Sequence, residues 1–130
     1  MSVGQESISV AEYKRRLSIA ELGGEPKIPG PDATEGKWQA KVQQVFEQNG
    51  WKTYHARNPK RDKPGFPDLV AVHPQRGIIF AEIKTKGRKV TPEQDAWISA
   101  ILEADGRVYV WRLPDDWVDC QFVARGEYYD

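Results

Sequence analysis

The sequence predicts an α/β domain in which a mixed β-sheet is flanked by helices, and three observations predict it. Hydrophobic periodicity alternates along the chain in the order α-β-β-β-α-β. Two of the strands are separated only by Pro74-Gln75-Arg76, which makes them an antiparallel hairpin. A helix then lies between that hairpin and a last strand, the arrangement of a right-handed crossover to a parallel neighbour. A chain of 130 residues is long enough for one such core.

The elements follow in order. Residues 1–31 read as an appendage: "VAEYKRRLSIAEL" forms a short helix stopped by Gly23-Gly24, and "GGEPKIPGPDA" is a Pro/Gly linker. Residues 32–130 form the compact domain. Its first helix spans "DATEGKWQAKVQQVFEQNG". Asp32 or Thr34 caps it, and Asp32 with Glu35 fits a capping box. Trp38, Val42, Val45 and Phe46 share one face, and Asn49-Gly50 closes the helix. "WKTYHA" reads as a strand, and the polar loop "RNPKRDKPG" follows. "PDLVAVH" and "GIIFAEIKT" are the hairpin strands. In "TPEQDAWISAILEADG" Thr91 caps a helix, Pro92 is its first residue and Gln94 completes a capping box. "RVYVWRL" is the last strand, and "PDDWVDCQFVARG" reads as a short helix or irregular tail. Trp38, Trp97 and Trp111 are expected in the core. Trp97, Ile98, Ile101 and Leu102 form an apolar stripe that also suits a dimer interface.

Composition narrows the function classes. Nineteen Lys and Arg balance nineteen Asp and Glu, so no global basic field advertises a nucleic-acid partner. The distribution is less even. Lys52, Arg57, Lys60, Arg61 and Lys63 lie in one segment, and Lys84, Lys86, Arg88 and Lys89 in another. Both flank the hairpin, as a phosphate-facing side would require. The single cysteine, Cys120, excludes an internal disulfide and a cysteine-based zinc site and fits a reducing cytosol. Neither a signal peptide nor a membrane-length apolar run is visible.

The hairpin poses the functional question, because Asp68, Glu82 and Lys84 sit in otherwise apolar strands. If the turn centres on Gln75, Asp68 faces Glu82 with Cβ atoms about 4.5–5.5 Å apart. Alternation puts Glu82 and Lys84 on one face and Ala81 and Ile83 on the other. A slip of one residue would send Asp68 to the wrong face. Two adjacent carboxylates raise each other's pKa unless a cation lies between them. Lys84 alone would make a structural ion pair. A divalent metal is the stronger answer, and oxygen ligands with open positions suit Mg²⁺ or Mn²⁺. Gly65 and Pro67 fix how Asp68 enters its strand.

"PDLVAV" with "EIK" fourteen residues later resembles the PD-(D/E)XK nuclease signature. Together "EGKWQAKV", "GWKTYHARN", "GFPDLVAV", "FAEIKTKGRKVTPEQDAW" and "YVWRLPDD", spanning about residues 34–118, resemble the VRR-NUC (virus-type replication-repair nuclease) subfamily. The resemblance implies a restriction-endonuclease-like fold and a Mg²⁺- or Mn²⁺-dependent DNA endonuclease. Small stand-alone members, often from phages, are homodimers that cut branched DNA such as four-way junctions. The implied location is the cytoplasm of a bacterial or phage-infected cell. By position, Asp68 and Glu82 would hold the metal with the Ile83 carbonyl, and Lys84 would be the catalytic lysine. Glu35 matches the first-helix glutamate of the metal site, and Gln94 the glutamine lining it.

Glu35 and Gln94 have competing explanations as helix-terminal residues. His55, Arg57, Lys60, Arg61, Lys63, Lys86 and Arg88 are candidate DNA contacts, against solvated loop for the basic residues and packed histidine for His55. The rival function is a DNA-binding or adaptor module that keeps the fold without cutting. No element resembles a sequence-reading recognition helix, and no stacking platform for single-stranded bases stands out, which favours duplex DNA.

Overall fold

In a computed structural model of the protein, the described residues are 28–30, 32–56 and 63–127. Residues 1–27 of the expected appendage, and Arg57, Lys60 and Arg61, lie outside them. Pro29–Glu127 forms one compact unit.

The elements are α1 (Glu35–Gln48), β1 (Lys52–His55), β2 (Leu69–His73), β3 (Gly77–Thr85), α2 (Pro92–Glu103), β4 (Val108–Leu113) and α3 (Trp117–Arg125). The four strands form one sheet in the order β1-β2-β3-β4. The first three are antiparallel, and β4 joins β3 in parallel after the α2 crossover. This is the mixed α/β sheet that the periodicity predicts.

The hairpin register settles which side chains share a face. Leu69 pairs with Ala81, Val70 with Phe80 and His73 with Gly77. One further step places Asp68 opposite Glu82, as a turn centred on Gln75 requires. Leu69, Ala71, Ile79, Ala81 and Ile83 point to one side and pack with Trp38, Val42 and Phe46 of α1 and Cys120 and Val123 of α3. Trp111 joins them from β4, its ring 5.8 Å from that of Phe46. Each such large apolar side chain stabilises the fold by about 1.5–3 kcal/mol when fully buried. The opposite face carries Val70, Phe80, Glu82 and Lys84.

Two local expectations are corrected, and one left between two forms is settled. Thr34 alone caps α1, its hydroxyl accepting from Lys37 N at 3.2 Å, so Asp32 and Glu35 form no capping box. That leaves the Glu35 carboxylate available to the sheet. The segment after β4 takes the first of its two expected forms, a short helix, because Trp117, Cys120, Val123 and Ala124 complete the core. Trp97 is half-buried instead of in the core: its ring meets Phe66 edge-on at 5.0 Å, and Phe66 meets Phe80 at 6.1 Å. The capping box of α2 forms as read, with Thr91 and Gln94 satisfying each other's backbone N–H.

Candidate active site

The charged cluster begins at the turn before β2. Gly65 has φ +86°, open to glycine and strained for other residues. A Cβ there would also collide with the backbone of Glu93 at the first turn of α2. The chain therefore backs tightly onto α2, and Pro67, buried beside Asp68, fixes the entry into the strand. The same contact locks Gln94 in place. Gly65→Ala is expected to cost at least about 2 kcal/mol, from the positive φ together with the clash, and thermal unfolding checks it.

Asp68 and Glu82 meet at the end of the hairpin. Asp68 Oδ2 accepts from Ile83 N at 2.8 Å, and the two carboxyls share a hydrogen bond. Glu82 is 2% exposed and Lys84 3%. Lys84 Nζ stands 3.8 Å from Glu82 Oε2, and Gln94 Nε2 donates to the same oxygen at 2.8 Å. Burial pushes the Glu82 carboxyl up to about 8; the Asp68 charge adds to the rise and Lys84 opposes it. Burial also raises Asp68, against the Ile83 N–H, Glu82 and the charge of His55. Even with a lysine beside it, Glu82 thus resists ionisation. The site holds more negative potential than Lys84 neutralises.

That deficit is the test of whether a divalent cation fits. Two carboxylates on adjacent strands, one of them hard to ionise, are stabilised as anions by added positive charge between them. No group of three His, Cys, Asp or Glu placed to hold a metal occurs among the described residues. Two carboxylates suit Mg²⁺, which keeps waters and takes phosphate oxygens as its other ligands. The residues present fit the group.

The remaining candidates fall at different distances from the pair. Glu35 accepts from Thr85 N and Thr85 Oγ1, each at 3.3 Å, and lies 3.6 Å from Arg88 Nη1. Its direct partners are therefore Thr85 and Arg88, although its charge raises both Asp68 and Glu82. His55 pairs with Leu69 and acts on Asp68 through its charge. Lys63, Lys86 and Arg88 are exposed, and of them Arg88 reaches Glu35. Arg112 was not singled out by sequence. It stands in register with Lys84, and its Nη1 donates to Arg88 O at 2.6 Å. Its backbone N–H is held by Asp116 Oδ2 at 2.7 Å.

The mixed sheet and its flanking helices are those of a nuclease-family fold. A model of the VRR-NUC domain matches residues 28–113. The chain belongs to that family. It is similar to a solved structure described as a VRR_NUC domain, with 25% identity, 75% of this chain and 100% of that chain covered, and a TM-score of 0.53. A second, described as a VRR_NUC domain protein, is 19% identical over 62% of this chain and 82% of its own, with a TM-score of 0.46. No curated relative matches the chain. No helix among the described residues is long and apolar enough to cross a membrane.

Proposed function

We propose that the protein is a metal-dependent DNA endonuclease that hydrolyses phosphodiester bonds, selective for branched DNA such as four-way junctions. The observation that carries this reading is the Asp68–Glu82 pair, in which the buried Glu82 is raised to about 8 despite Lys84 at 3.8 Å. Asp68 and Glu82 would hold Mg²⁺ or Mn²⁺ together with the Ile83 carbonyl, whose N–H already binds Asp68. A divalent cation bound there supplies a Lewis acid for the phosphoryl group and lowers the pKa of a water.

The protein's own groups do the rest. Lys84 is held buried beside Glu82, where its ammonium faces the charge that develops on the phosphoryl oxygens or orients the attacking water. Gln94 fixes which way the Glu82 carboxylate points. Glu35 fixes Thr85 at the end of β3 and tethers Arg88. In the step itself, the water oxygen bonds to phosphorus, the P–O3′ bond breaks, and the leaving oxygen takes up a proton. The products carry a 5′-phosphate and a 3′-hydroxyl. Lys63, Lys86 and Arg88 contact flanking phosphates. Arg57, Lys60 and Arg61 have the same proposed role by sequence.

A homodimer belongs to this proposal, since symmetric cutting of a junction needs two sites related by symmetry. Cleavage of a labelled panel of duplex, flap, splayed-arm and four-way junction DNA, with Mg²⁺, Mn²⁺ or EDTA, tests the reading. Metal-dependent cutting that is strongest on branched DNA and falls at least about a hundredfold in Lys84→Ala is expected. Binding without cutting in any metal favours the adaptor reading.

A further inference from the structure

Tyr54 is 63% exposed on the same sheet face as the acidic pair. The registers show why. Tyr54 pairs with Val70, which pairs with Phe80; Lys52 pairs with Val72, which pairs with Ile78. Directly opposed residues share a face, and so do residues two apart on a strand. Val72, Val70 and Asp68 therefore line up with Ile78, Phe80 and Glu82. Ala56 N donates to Asp68 O at 3.1 Å, and Tyr54 is two residues before Ala56. At about 3.3 Å of rise per residue, Tyr54 lies roughly 7 Å along the strand from the acidic pair. That is about two stacked nucleotides.

The patch is apolar and open. Val72 is 43% exposed and Ile78 52%, while Leu69, Ala71 and Ile79 on the reverse face are buried. Among the described residues, α2 and Phe66 lie over the β4 side of this face, and Tyr54, Val72 and Ile78 are exposed. Lys52, which is exposed, pairs with Val72 at the edge of the patch away from the acidic pair. A continuous duplex hides its base faces inside the stack and shows phosphates, sugars and edges, for which an exposed tyrosine ring diagonal to an exposed valine on the next strand has little use. An unpaired base offers a π-face, and stacking on an aromatic ring is largely independent of sequence. Lys52 at the border suits the phosphate of the same strand.

We propose that Tyr54, with Val72 and Ile78, is a stacking surface for an unpaired DNA base close to the scissile phosphate. The substrate is then DNA whose strand is splayed or single-stranded at the cut, where the sequence, showing no stacking platform, favours duplex DNA. The inference rests on the hydrolytic reading above for the position of the scissile phosphate.

The test measures dissociation constants of wild type, Tyr54→Ala and Tyr54→Phe by fluorescence anisotropy, with Ca²⁺ as the only divalent ion. Probes are a splayed-arm DNA and a continuous duplex of the same sequence. Wild type should prefer the splayed arm. Tyr54→Ala should reduce that preference about tenfold, and Tyr54→Phe should retain it. A preference that Tyr54→Ala leaves unchanged, or that Tyr54→Phe loses equally, overturns the inference. So does a wild-type dimer that Tyr54→Ala converts to monomer in sedimentation, since the patch is then a self-interface. Cleavage with Mg²⁺ is scored separately. Wild type that cuts with a preference independent of Tyr54 sinks this inference alone. Wild type that never cuts but shows the Tyr54-dependent preference sinks the hydrolytic reading and leaves the stacking surface.

Discussion

Asp68→Asn is expected to lower Mg²⁺-dependent hydrolysis by at least about a thousandfold, since it removes charge where the transition state is stabilised. Glu82→Gln should behave alike. The same substitutions should leave the metal-free fold at least as heat-stable as wild type at pH 8. Both carboxyls are raised chiefly by burial, so each is more costly to the fold as an anion than as a neutral group. An amide of the same shape removes that cost and retains an oxygen for Ile83 N. Lost activity with undiminished stability would separate a functional pair from a structural one. Single-turnover rates together with thermal unfolding in EDTA make the comparison.

The second large effect is on pH. Glu82 has an ordinary value of 4.5 and stands at about 8 in the folded protein. Between those values the folded state keeps a proton that the unfolded state has lost. Stability therefore falls as pH rises through that window, with the full contribution present below pH 4.5 and lost above about 8. The upward shift of Asp68 acts in the same direction. A bound cation reverses the preference by favouring both anions, so binding releases protons and tightens with pH. The rise in melting temperature on adding Mg²⁺ should thus be larger at pH 8 than at pH 6. Equal rises at both pH values would show that the carboxyls are not the ligands.

Much of the fold was legible because its signals are local. The three-residue turn fixes the hairpin, and the hairpin fixes that Asp68 opposes Glu82. The α2 capping box is written in four consecutive residues. Where the reading failed, the decisive contact was distant in sequence, except at the cap of α1. Thr34 and Asp32 are equally plausible caps until the helix start is known. Glu35 looks like a helix-end acid; only the packing of α1 against β3 brings it to Thr85, fifty residues away. Arg112 went unread because no sequence rule gives the offset of parallel strands across a helix. Tyr54 alternates like any strand residue, and its exposure depends on where α2 comes to rest. Trp97 has the residue type of a core position, but α2 lies over the sheet with none of its residues fully buried.

The most direct measurement is single-turnover cleavage of a labelled four-way junction by wild type and Asp68→Asn, in Mg²⁺ and in EDTA at pH 8. Cutting by wild type in Mg²⁺ alone, absent from Asp68→Asn that still binds the DNA, is the predicted result. Cutting that survives EDTA, or survives the loss of the Asp68 carboxylate, would contradict a hydrolytic centre built on the Asp68–Glu82 pair.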